Sequence, residues 1–312
     1  MYNLTIPENS SSNCYDCIFY SFLKYFKFDY EMYNISYFYT EYYSENGRYI
    51  YRGKNCIDFI RDCYGVDINY YSKTKTDNLS EIVMKALEHS PVGIAIDPYH
   101  CSWSPFYQKA HYTHALLIVD VNWNDKKYIF FDVHYGKAGY IEVDFDVLDK
   151  YCIRYFIFCF SKGNEVKLPL FISHIYSTIN SFNYNSAMKS EQLLSYFTQN
   201  DREVLFHGGV SGIETSVPLI NLMWIAEDKK HFPIALKSIE NRLQKDIFRP
   251  IYELASISER SFTILKSMLM KYAITGVLRE NSLRNIITQI YETDVLTIES
   301  MKNILGDIKW NL

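Results

Sequence analysis

Cys14, His114 and Asp132 carry the three side-chain types that thiol acyl chemistry requires. Such chemistry needs a thiol nucleophile, a base that takes its proton, and a carboxylate that orients the base. Cys14 follows the polar run Ser10–Asn13 and opens CYDCIFYSFLKYF, where Ile18, Phe22 and Phe26 recur at helical spacing. The pattern predicts a helix over about 14–26 with Cys14 in its first turn. A helix start favours a thiolate through its dipole and free amides, and the amide of the cysteine itself can help bind an oxyanion.

The other two residues belong to Lys109–Val133, KAHYTHALLIVDVNWNDKKYIFFDV. This reads as two apolar strands joined by a polar turn, with His114 opening the first and Asp132 closing the second. A turn centred near Asn122–Asp125 sets His114 opposite Asp132 or Val133. A slip of one residue in register would turn a side chain to the other face. Asp120 is the second choice as orienter, farther along the histidine strand. Upstream, PVGIAID is an apolar strand ended by Pro98, and the aromatic loop PYHCSWSPFYQKAHYT leads back to the hairpin. Loops at strand ends are where sites are often built. Asp97 reads as a cap for the turn at Pro98 or as a substrate contact. Trp103 and Tyr107 are candidate pocket walls, and Asn13 is a candidate amide beside the nucleophile.

The elements that must position these residues change character along the chain. The first half begins helical and becomes strand-rich, with a strand over Arg48–Arg52, a helix over Asn55–Tyr64 stopped by Gly65 and a strand over Val66–Tyr71. A helix over Ser80–His89 precedes the PVGIAID strand and the hairpin. A strand at Tyr140–Val143, a short helix at Phe145–Lys150 and the apolar strand Tyr151–Phe160 complete an α+β pattern. Beyond Ser161–Val166 the periodicity is helical almost throughout. Segments are predicted at 168–184, 190–198, 217–227, 231–248, 249–254, 258–278, 281–293 and 297–307. The reading divides the chain into an α+β domain at 1–162 and an all-helical domain at 163–312.

Composition excludes several classes. The 312 residues are 48% hydrophobic and 22% charged, unlike a disordered chain, and a net charge of −4 offers no basic footprint for nucleic acid. No apolar run reaches the ~18 residues of a membrane span, and the start has neither basic flank nor apolar stretch, so no export signal is expected. Seven cysteines (14, 17, 56, 63, 101, 152 and 159) are an odd number without repeated spacing. They point to reduced thiols in a cytoplasm. Cys14-x-x-Cys17 invites a redox reading, but it lacks the preceding βαβ pattern. His100, His111 and His134 fall near one another without the spacing of a known ligand set, so neither metal nor cofactor is expected.

Several of these stretches resemble the papain-like C39-type family, and within it the butirosin-biosynthesis BtrH N-terminal domains. The residues that carry the resemblance are Cys14 followed by Ile18, Phe19, Phe22 and Leu23, the run VGIAIDPYH…SPFYQKAHYTHALLIVDV, and Asp132-Val-His-Tyr-Gly136. Two features depart from the family. Val133 stands where C39-type domains have proline after the aspartate, and no glutamine precedes Cys14. The resemblance implies a papain-like fold with a helical C-terminal domain, and Cys14, His114 and Asp132 as catalytic residues. It implies transfer of an acyl or aminoacyl group from a carrier-protein thioester to an amine in natural-product biosynthesis. The expected partners are an acyl or peptidyl carrier protein, a small-molecule amine and a second copy of the chain. A peptidase or amidase of the same fold, or a catalytically silent binding protein, are the alternatives.

Overall fold

The computed structural model describes residues 1–6, 14–45, 48–53, 56–104, 106–109, 111, 113–134, 137–160, 166–181, 190–199, 202–206 and 217–309. Asn13, the turn expected at Asn46-Gly47, the boundary at 161–165 and the glycine-rich break at 207–212 lie outside them.

In chain order the elements are α1 (Cys14–Tyr25), β1 (Thr40–Glu45), β2 (Arg48–Gly53), α2 (Cys56–Phe59), β3 (Val66–Ser72), α3 (Leu79–Leu87), β4 (Val92–Ile96), β5 (His114–Asn122), β6 (Lys127–His134), β7 (Lys137–Asp144), α4 (Phe145–Tyr151) and β8 (Cys152–Phe160). They are followed by α5 (Leu168–Ser181), α6 (Ser190–Gln199), α7 (Arg202–Phe206), α8 (Val217–Leu243), α9 (Arg249–Thr275) and α10 (Glu280–Lys309). The chain forms two compact units, Met1–Tyr30 with Ile57–Val166, and Glu31–Cys56 with Lys167–Leu312. The chain passes between the units at 30/31, 56/57 and 166/167, and the sequence-based division at 162/163 lies beside the last of these. Residues 31–56, assigned to the first domain, cluster instead with the helical one, where β2 packs beside α8.

The first unit is built on an antiparallel six-stranded sheet in the order β3-β8-β4-β5-β6-β7. Side chains two apart on a strand share a face, and Phe156, Phe158 and Phe160 of β8 present their rings together. Phe19, Phe22 and Phe26, at helical spacing, meet them: Phe22 stacks on Phe158 at 4.0 Å between centroids, and Phe26 packs tilted against Phe160 at 4.6 Å. Each buried aromatic is worth roughly 1.5–3 kcal/mol, so this seam fixes α1, and with it Cys14, against the sheet. Gly93 of β4 permits the seam. A Cβ there would lie 1.8 Å from the Phe156 ring. The opposite face buries Ile94, Ile96, Leu116, Ile118 and Phe130 against Leu79, Val83 and Ala86 of α3. Gly65, at φ 66°, ends the helical run that α2 begins, since the left-handed region favours glycine.

The second unit is mostly helical. Leu222 and Ile225 of α8, Phe262, Leu265 and Leu269 of α9, and Leu283, Ile287 and Ile290 of α10 share one core. The α8–α9 connection is held by buried Glu240, which accepts from the backbone N–H of Ile247 and Phe248, each at 2.8 Å, and from the Tyr252 hydroxyl. Each of α8, α9 and α10 is continuous where the sequence reading broke it in two, and α8 runs on through Pro233. No described helix is long and apolar enough to cross a membrane.

Candidate active site

Cys14 is the first residue of α1 and is half-buried. His114 opens β5, where it pairs with Ile96 of β4, and Asp132 lies near the end of β6. The hairpin register differs from the sequence expectation. The ladder runs Asn122↔Lys127 to Asp120↔Ile129, shifts by one residue at a bulge, and ends at Leu117↔Phe131. Continued past that pair, it would set His114 across from His134. Asp132 then stands diagonal to His114, two residues away and on the same face by the pleat. Diagonal neighbours remain within reach of long side chains.

The two side chains do meet. His114 Nε2 lies 2.6 Å from Asp132 Oδ1, with both residues buried. The second carboxylate oxygen accepts from the Trp103 indole, Nε1 to Oδ2 at 3.2 Å. The Cys14 thiol is hydrogen-bonded to the imidazole, and with Nε2 directed at Asp132, the nitrogen left for sulfur is Nδ1. Burial opposes a charge on His114. The hydrogen bonds to Asp132 and Cys14 and the negative charge both can carry outweigh it, raising the imidazole pKa to about 10. The ring is therefore held as an imidazolium at neutral pH, between the Cys14 sulfur and the Asp132 carboxylate.

The remaining cysteines differ in kind. Burial pushes the thiols of Cys63, Cys101 and Cys152 up to about 12, the behaviour of inert core thiols. Cys17 is fully buried within α1 and forms no disulfide with Cys14. Cys159 is exposed and accepts from Asn69 Nδ2 at 3.4 Å. Next to Cys14, Tyr15 is raised to about 12 by burial and by Cys14, with Arg154 acting in the opposite sense.

The other sequence candidates separate. Asp97 caps the turn at Pro98–His100 by accepting from the Tyr99 N–H at 3.0 Å, and its second oxygen lies 2.7 Å from His111 Nδ1. Trp103, read as a pocket wall, donates to the Asp132 carboxylate. Tyr107 is 39% exposed and its hydroxyl accepts from Gln108. Asp120 bonds the N–H of Val121, not the imidazole. The Trp103–Asp132 bond was invisible in the sequence because 29 residues separate its partners. An indole donor in the loop leading to the histidine strand was its only trace. Compared with known proteins, the chain matches no family model and no curated protein.

Proposed function

We propose that this chain is a papain-like, C39-type thiol acyltransferase, with Cys14 as nucleophile, His114 as base and acid, and Asp132 as orienter. The observation that carries the reading is the single imidazole hydrogen-bonded at once to the thiol of a helix-start cysteine and to a buried carboxylate. The donor class, a carrier-bound thioester, comes from the resemblance of residues around Cys14, His114 and Asp132 to the butirosin-type domains.

The chemistry follows from the roles. The Cys14 sulfur, its proton held by His114, attacks the thioester carbonyl carbon and forms a new C–S bond. The Cys14 backbone N–H, which as the first of α1 has no acceptor within the helix, stabilises the resulting oxyanion. Collapse breaks the bond to the carrier sulfur, which leaves with the proton donated by the imidazolium. An amine then attacks the acyl-cysteine and gives its proton to His114 as the C–N bond forms and the C–S bond breaks. The ion pair is restored. Asp132 keeps the imidazole oriented through both halves, and Trp103 keeps Asp132 oriented.

Intact-protein mass spectrometry after incubation with an acylated carrier protein tests the reading. The expected result is one acyl adduct on the wild type, discharged by an added amine, and none on Cys14→Ala. An adduct that persists on Cys14→Ala overturns the assignment. Discharge by water at the same rate as by amines makes the protein a hydrolase of the same mechanism.

A further inference from the structure

Asp97, His100 and His111 are not needed by the chemistry above, yet they converge. One ligand-capable atom from each lies within 4.8 Å of the corresponding atoms of the other two. Asp97, directly after β4, and His111, shortly before β5, end the segment 97–111 that carries Trp103, and His100 lies within it. The rings are held in place by stacking. Tyr99 lies on His111 at 4.0 Å between centroids and 18° between planes, and Tyr151 on His100 at 4.0 Å and 9°. Asp97 Oδ1 is engaged by the Tyr99 N–H, which orients Oδ2 toward His111. The His100 ring makes no hydrogen bond among the described residues, so its nitrogens remain available to a ligand.

An exposed Asp–His pair alone contributes little to stability and explains neither the second imidazole nor the two stacked tyrosines. Two imidazoles and one carboxylate are the donor set of a three-ligand zinc site with a fourth position open. Zinc bonds of about 2.0–2.1 Å place tetrahedral ligand atoms about 3.3 Å apart. The 2.7 Å Asp97–His111 contact would open slightly, and the widest separation, within 4.8 Å, would close. His111, 66% exposed, has the freedom to accommodate this.

We propose that Asp97, His100 and His111 bind a divalent transition-metal ion of the Zn²⁺ class and clip together the two ends of the Trp103 segment. Tying the ends of a loop removes conformational freedom from it. Asp97 directly follows Ile96, the strand partner of His114, so the clip steadies the same corner of the sheet that presents the imidazole. Three protein ligands leave a fourth position open, where water or a substrate group can complete the coordination.

The test uses tag-free, metal-stripped Cys14→Ala protein, so that the nucleophile cannot supply a ligand, and wild type with Cys14 blocked by iodoacetamide as a second host. Zn²⁺ is titrated calorimetrically, and Co²⁺ by the intensity of its visible absorption. The expected result is one equivalent bound in both hosts, weakened at least about tenfold by His100→Ala and by His111→Ala. A Zn²⁺-dependent rise in melting temperature should vanish with either substitution. Absence of a bound equivalent, or binding that neither substitution weakens, overturns the site. The proposal stands apart from the acyl-transfer reading, because adduct formation on wild type is assayed with chelator present.

Discussion

Among the described residues, each unit of this chain sets a buried cation against a carboxylate, and the two pairs behave oppositely. In the sheet unit His114 Nε2 meets Asp132 Oδ1, and Trp103 donates to the other oxygen. In the helical unit Lys229 Nζ of α8 meets Asp294 Oδ1 of α10, and Ser258 of α9 donates to the same carboxylate at 2.9 Å. Burial works against charge in both. For Lys229 it prevails, so the ammonium pKa falls although Asp294 and Asp228 oppose the change. For His114 the hydrogen bonds win and the pKa rises. The difference lies in what stands beyond the cation. The imidazole has a second nitrogen and a thiol to meet it, whereas the ammonium faces the Phe262 ring at 5.8 Å. A buried cation–carboxylate pair is therefore not in itself the mark of a site. A reactive group on the cation's far side is.

The comparison breaks first on rate. If the His114 pair is catalytic, Cys14→Ala eliminates acyl transfer and His114→Ala lowers turnover by on the order of 10⁵-fold. Asp132→Asn, which keeps the shape but loses the charge, costs on the order of 10³–10⁴-fold. Single-turnover kinetics with an acylated carrier read all three. Substitutions at Lys229 and Asp294 leave the rate per folded molecule unchanged. A comparable loss of turnover in Lys229→Met would erase the distinction drawn here.

Next comes stability. Lys229→Met leaves Asp294 with only the Ser258 hydroxyl in an apolar bundle and is expected to cost about 3–5 kcal/mol in denaturant unfolding. The double variant Lys229→Met, Asp294→Leu removes both charges at similar volume and returns to within about 1 kcal/mol of wild type, or above it. Recovery in the double variant identifies a pair whose role ends with its own neutralisation. A smaller effect is expected at Trp103. Trp103→Phe retains most of the ring but deletes the Nε1–H donor to Asp132. It should slow acyl transfer by about tenfold, the equivalent of one charge-assisted hydrogen bond, with little change in melting temperature.

The same contrast explains what could be read from the chain. Local signals placed α1, β4, the hairpin and β8 to within a residue or two, because caps, turns and period-two apolar runs are short-range. Cys14, His114 and Asp132 were recognisable by type and order. Their register was not, because the bulge between Ile118 and Asp120 shifts the ladder by one and nothing in VDVNWND announces it. The helical half failed in a more telling way. The expected breaks at 227/231, 254/258 and 293/297 fall at or beside Asp228, Lys229, Ser258, Thr293 and Asp294, polar residues that interrupt an apolar stripe. All but Asp294 are buried, and Lys229, Ser258 and Asp294 bond one another across three helices. Lys229, Ser258 and Asp294 looked like helix ends because their partners sit on other helices, whereas Thr293 satisfies its hydroxyl on the Gln289 carbonyl within α10. Asp97, His100 and His111 escaped for a related reason, since an irregular loop brings them together without a ligand spacing.

The finest separation of the two pairs is in pH. The folded state holds the His114 proton more tightly than the unfolded chain, whose histidine titrates near 6.5. The stability from that proton is fully present below about pH 6.5 and is lost as pH rises toward about 10. Lys229 runs the other way. Its folded pKa lies below the ordinary 10.5, so the unfolded chain binds the proton more tightly and stability is gained as pH climbs through that alkaline window. Denaturant midpoints of wild type minus His114→Gln should therefore decline from pH 6.5 to 10, and those of wild type minus Lys229→Met should rise on approaching 10.5. Subtracting each variant cancels the tyrosines and carboxylates common to both. Slopes of the same sign would mean that the imidazolium is not held by Asp132 and Cys14, and the proton needed to expel the carrier thiol would have to come from elsewhere.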